Sequence, residues 1–90
     1  MIGLILKAMR KEAGLKQESV SQEIKVARNT LSQYETETIQ PTFETIQKIA
    51  HACGYSIYFQ NNKTKKIINY ETLEREKKVW LFHTFLIVLF

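Results

Sequence analysis

"QESVSQEIKVARNTLSQYE" (residues 17–35) decides how this chain folds. It holds no Gly and no Pro, and it reads at first as one amphipathic helix. On a 3.6-residue period Val20, Ile24 and Leu31 share a face, but Val26 falls well off it. Lys25-Val26-Ala27 fits better as a tight turn, with Val26 plugging the corner between two helices, 17–24 and 28–35. Ser21 is small where the two would approach most closely. Helices of about eight residues do not stand alone in water and need a platform. A rigid bend that presents its second helix outward is helix-turn-helix logic.

The flanks supply that platform. Residues 2–13 set Ile2, Ile5, Leu6, Met9 and Ala13 at helical spacing, and Gly14 ends this helix. Residues 38–42, "TIQPT", read as a loop, and the chain ahead of Pro41 favours extended geometry. Thr42 is the expected N-cap of a fourth helix, with Thr45 in the box position. Phe43, Ile46, Ile49, Ala50 and Cys53 run down one face of it, and Gly54 closes it. Beyond Gly54 the period changes. "YSIYFQ" (55–60) and "KIINY" (66–70) are rich in β-branched and aromatic residues around the turn-like "NNKTK", which predicts a β-hairpin. "ETLEREKK" (71–78) reads as a solvated helix with Glu71–Arg75 and Glu74–Lys78 at i,i+4 spacing.

The last stretch, "VWLFHTFLIVLF" (79–90), has ten apolar residues in twelve. As a helix it spans about 18 Å, too short for a bilayer core. Three readings stay open for it: a buried dimer helix or strand, a weak anchor to a membrane or partner, or a segment with no selected role. Membrane spanning is not expected.

Ninety residues suit one small core, and 44% apolar with 24% charged residues is an ordinary globular composition. The single cysteine, Cys53, allows no internal disulfide and reads as a small buried hydrophobe. With no basic leader at the start, a reducing, cytoplasmic setting is expected. His51 and His83 lack ligand partners in sequence, so neither a metal nor another cofactor is expected. No Ser-His-Asp or Cys-His constellation appears, and no carboxylate pair sits in a Gly-framed loop, so an enzyme has no support. The net charge of +4 is uneven. Residues 1–60 hold seven Lys/Arg against six Glu, a net of +1, and residues 61–90 hold six against three, a net of +3. A nucleic-acid binder built on the first 60 residues must therefore sort its charge onto one face.

"LKAMRKEAGLKQESVSQEIKVARNTLSQYE", followed by Pro41 and an "I-x-x-I-A" helix, resembles the lambda repressor and Cro family of XRE-type helix-turn-helix domains. The resemblance covers about residues 4–54. It rests on Leu6, Arg10, "GLKQ" (14–17), Ser21, Val26 and "TLSQYE" (30–35), in order and spacing. It implies a mainly α fold of four to five helices, with the hairpin and apolar tail appended. Residues 1–54 would be the DNA-binding domain and 55–90 a dimerising segment. Lys25 and Glu37 stand where the family often has Gly, so Lys25 must take a left-handed conformation. Glu37 adds a negative charge near where phosphates should lie.

By the same resemblance, Ala27, Arg28, Asn29, Ser32 and Gln33 would face base edges in the major groove. Arg suits guanine O6 and N7, Asn or Gln suits adenine N6 and N7, and Ala can touch a thymine methyl. Gln17 would bind a phosphate, with Lys16, Thr38, Gln40 and Thr42 as further backbone contacts. Arg10 and Glu35 would form a structural ion pair. The implied partners are double-stranded DNA and a second copy of the chain. Three functions remain open at this level: a regulator, with repression as the leading reading; an antitoxin that binds its operator and a toxin through 55–90; and a helix-turn-helix scaffold turned to protein binding.

Overall fold

The computed structural model describes residues 1–69 and Leu73. The chain divides into two units, Met1–Ser56 and Ile57–Phe90. The first contains four helices: α1 (Ile2–Glu12), α2 (Gln17–Ile24), α3 (Arg28–Glu35) and α4 (Phe43–Ala52). The opening stretch is thus two helices. α1 and α2 each pack on both α3 and α4. The core is Leu6, Val20, Leu31, Ile49 and Cys53, one or two residues from each helix or its cap. Val26 packs against it from the corner, and its N–H donates to the Ser21 carbonyl at 3.0 Å. Lys25 takes φ 61, ψ 44 as the C-cap of α2, the left-handed conformation the turn requires. Ser21 is buried at the α2 face and donates its hydroxyl to the Glu18 carbonyl at 3.0 Å.

α1 buries Gly3, Leu6 and Arg10. Ile5 is 46% exposed and Ala13 lies exposed just past the helix end, so neither joins the core the sequence pattern assigned them to. Ala13 is exposed because it falls past the last turn of α1, and for Ile5 the reason is rotational. Residues one apart on a helix point about 100° away from each other, and the face is set by Gly3 and Arg10, not by the apolar count. A Cβ at Gly3 would collide with the Tyr34 carbonyl oxygen and come within 3.2 Å of that of Glu35. Glycine therefore lets the start of α1 lie directly on the end of α3. Phe43, at the first turn of α4, is half exposed. Thr42 caps α4 by accepting from the Thr45 N–H at 3.2 Å, and the two threonine hydroxyls lie 3.0 Å apart.

The end of α4 corrects the hairpin boundary. Gly54 has φ 84, and the Tyr55 N–H donates to the Ala50 carbonyl at 2.8 Å. This left-handed closure folds Tyr55 back onto the helical core, where its hydroxyl donates to the Glu12 carboxylate. Residues 55–58 are consequently not strand. In the second unit the hairpin is short: β1 (Phe59–Gln60) pairs antiparallel with β2 (Ile67–Ile68), Phe59 opposite Ile68 and Gln60 opposite Ile67. The Leu73 N–H donates to the Asn69 carbonyl at 3.1 Å. The remainder of the expected helix 71–78, and the apolar tail 79–90, lie outside the described residues. Among those described, no helix is long and apolar enough to cross a membrane.

Candidate nucleic-acid interface

Arg10 is a cation placed in a core position. Its Nε donates to Glu35 Oε2 at 2.7 Å and its Nη2 to Glu35 Oε1 at 2.9 Å, a bidentate pair with both side chains buried. Its Nη1 donates to the Leu15 carbonyl at 2.9 Å. The Glu35 carboxylate pushes the Arg10 pKa up further from its already high ordinary value, hydrogen bonding outweighing burial. The guanidinium thus ties three parts together: α1, the connection to α2, and the last turn of α3. The pair is fully hydrogen-bonded, and among the described residues no buried side-chain N or O lacks a partner.

Gln17 extends this network. Its Nε2 donates to Glu35 Oε1 at 3.2 Å. An amide nitrogen carries two hydrogens, so one stays available to an outside acceptor. Neither α2 nor α3 has a side chain capping its N-terminus, with Lys16 and Ala27 in the cap positions. The first-turn N–H groups of both helices therefore need acceptors from solvent or a ligand. Between these ends lies an open recess of about 360 Å³ lined by Arg10, Lys16, Gln17, Glu18 and Arg28.

Ala27, Arg28, Asn29 and Gln33 are exposed on α3, and Ser32 is half-buried beside them. Lys16, Thr38, Gln40 and Thr42 are exposed, and Gln17 is half-buried. The Thr38 hydroxyl lies 2.9 Å from that of Thr36, and the Thr42 hydroxyl already caps α4. Those two hydroxyls have internal partners, whereas the Gln40 side chain forms no hydrogen bond within the described residues.

The sequence did not disclose Gly3, the Gln17–Glu35 bond, or the direction of Glu37. The Glu37 carboxylate turns onto the amino end of α1 and pairs with the Met1 ammonium. That ammonium, with help from the Leu4 and Gly3 backbone N–H groups, holds the carboxyl below the usual carboxylate range. Its charge is used at a helix N-terminus, where anions are favoured. Nothing in the sequence links Gly3 to the 36–42 loop, so no signal for that contact was available. Two other groups carry little chemistry. Burial pushes the Cys53 thiol pKa up. Among the described residues no group of three or more His, Cys, Asp and Glu could hold a metal.

Two short helices joined at a left-handed corner, with the second helix displayed, define a helix-turn-helix protein of the DNA-binding kind. The helix-turn-helix family model matches residues 6–60, and the chain belongs to that family, in its lambda repressor/Cro-like XRE branch. No curated protein matches the chain.

Proposed function

We propose that this chain is a sequence-specific transcriptional regulator, a cytoplasmic repressor, that reads the major groove with α3. The observation that carries the reading is the Arg10–Glu35–Gln17 network beneath the uncapped N-termini of α2 and α3. It fixes α3 against α1 and leaves one Gln17 N–H available beside Lys16 and Arg28, which line the same recess. In this reading Arg28, Asn29 and Gln33 pair with base edges, Ser32 and Ala27 make close contacts, and Gln17 and Lys16 hold a phosphate. Thr38, Gln40 and Thr42 approach a second phosphate. Glu37 does not oppose this, since its carboxylate faces the Met1 ammonium.

The chain acts as a homodimer, because one recognition helix reads only a few base pairs and two half-sites give useful specificity. Residues 1–54 are the DNA-binding part and 55–90 the dimerising part. Selection of bound sequences from random DNA tests the function. A recurrent two-fold site, bound with steep salt dependence, is expected. Binding that does not discriminate between sequences overturns the reading. A second reading, an antitoxin that controls its own operator, is supported by large apolar side chains left exposed on and just ahead of the hairpin, Ile67, Ile68 and Tyr58. Co-purification with a toxin from the native host separates it from the first.

A further inference from the structure

We propose that the hairpin tip, through Lys63, Lys65 and Lys66, is a second DNA-binding site that grips backbone phosphates. The site lies beyond the residues 6–60 that match the family. It rests on the reading above only in taking the polyanion to be duplex DNA.

Charge is the first argument. Three lysines fall within four residues, and no Asp or Glu occurs between Glu44 and Glu71. All three are exposed, and among the described residues none has an acidic partner. The helical unit cannot supply this charge. Residues 1–60 carry a net of only +1, a balance that the neutral Arg10–Glu35 pair leaves unchanged. Duplex DNA presents one negative charge per about 1.7 Å of axis, and affinity grows with each phosphate neutralised. The hairpin holds the positive excess that the groove-reading unit lacks.

Rigidity is the second argument. The turn is held by groups other than the lysine side chains. Asn61 Oδ1 accepts from the backbone N–H of Lys63 at 2.9 Å and of Thr64 at 3.1 Å. The Asn61 N–H donates to the Lys66 carbonyl and the Lys65 N–H to the Asn61 carbonyl, both at 2.8 Å. The Lys66 N–H donates to the Thr64 hydroxyl at 3.3 Å, and Gln60 Nε2 to the Lys65 carbonyl at 3.3 Å. Lys65 stands at φ 63, held left-handed by this web. The backbone is set while the three ammonium groups stay available to an outside anion. The turn itself, residues 61–66, carries no apolar side chain, which favours a phosphate backbone over a lipid surface.

The test is the salt dependence of DNA affinity for the full chain and for the triple variant K63Q/K65Q/K66Q. On the selected site and on scrambled duplex alike, the slope of log K against log salt should fall by about 0.9 for each phosphate that is no longer neutralised, so by about 2–3 in all. The ratio of the two affinities should stay unchanged, since binding to phosphate carries no base information. The corresponding triple Arg variant should keep the slope. Single variants K63Q and K66Q, each lowering the slope by about 0.9, give the same answer should the triple variant melt early. A slope unchanged in the triple variant, where the wild-type chain binds DNA, overturns this proposal and leaves the groove reading intact. A wild-type chain without salt-dependent DNA binding overturns both. Loss of binding to equimolar phosphatidylserine–phosphatidylcholine vesicles, with the DNA slope unchanged, assigns the tip to a lipid surface and overturns the DNA site.

Discussion

At the scale of single residues, the ion pair and the proposed base readers separate cleanly by what their removal should do. Glu35→Ala leaves the Arg10 guanidinium buried with a carbonyl as its remaining partner. Breaking such a pair from one side costs about 3–5 kcal/mol, a large share of what a domain of this size has to spare. Thermal melts should show that destabilisation with no DNA present. Arg28→Ala and Gln33→Ala change exposed side chains and should leave the melt within about 0.5 kcal/mol of wild type. Each should instead weaken the selected site by about 1–3 kcal/mol and relax base preference. An equal weakening on scrambled DNA would show that they do not read bases. Gln17→Ala should weaken both DNAs alike, with the salt slope almost unchanged because a neutral amide releases no counterion. Full affinity for both DNAs would remove Gln17 from the interface. Cys53 offers a check on burial. Its raised pKa and 7% exposure predict that a thiol reagent at pH 8 reacts only as fast as the domain opens.

At the scale of elements, the two left-handed non-glycine corners of the first unit carry opposite lessons. Lys25 at φ 61 closes α2, and Glu37 at φ 63 follows α3. A left-handed L-residue costs about 1–2 kcal/mol, and Gly removes that while loosening the unfolded chain. Lys25→Gly should therefore stabilise the domain by about 0.5–1 kcal/mol. Glu37→Gly relieves the same strain but discards the carboxylate that pairs with the Met1 ammonium. The Glu37 pKa is lowered in the folded state, so its contribution is present above the ordinary carboxylate pKa and fades as pH falls through the folded value. At neutral pH Glu37→Gly should gain less than Lys25→Gly. The gap should close in acid. A gap that persists at low pH would mean the carboxylate contributes nothing. Gly3→Ala is the matching test of the packing of α1 on α3 and should cost about 1–3 kcal/mol through overpacking.

These corners also mark how far the sequence could be read. The bend was legible because Val26 breaks the apolar face of 17–35, and the left-handed Lys25 was legible only through the resemblance, since it stands where the family often has Gly. The Arg10–Glu35 pair was legible only through the family resemblance, since nothing in the spacing of residues 25 apart links them. Ile5 misled because an apolar count does not weigh a buried Arg or a glycine at a close helix approach. Tyr55 misled because β-branched and aromatic composition says nothing of a left-handed glycine turning the chain back onto a helical core.

At the scale of the whole molecule, the proposed groove reader needs a second copy to meet a second half-site. Tyr58, just ahead of β1, is 54% exposed, and Ile67 and Ile68 of β2 are 43% and 45% exposed. A ladder of two residues per strand is marginal by itself and gains from further packing. The sequence after it adds ten apolar residues in the final twelve, more than a 90-residue chain readily hides alongside its helical core. Both observations support the proposal that the dimerising surface lies after the helical unit. Truncation after Ser56 keeps the four helices and their core, together with Tyr55 and its bond to Glu12. The truncated chain should retain its helical circular dichroism and sediment as a monomer, whereas the full chain sediments as a dimer at micromolar concentration. It should bind a two-fold site far more weakly than the full chain, and a single half-site with a reduced salt slope, because the hairpin lysines go with the deleted residues. The K63Q/K65Q/K66Q chain isolates that second effect, because it keeps the apolar side chains of the strands and should still dimerise. A full chain that sediments as a monomer, or a truncation that remains a dimer, would move the two-fold interface into the helices themselves.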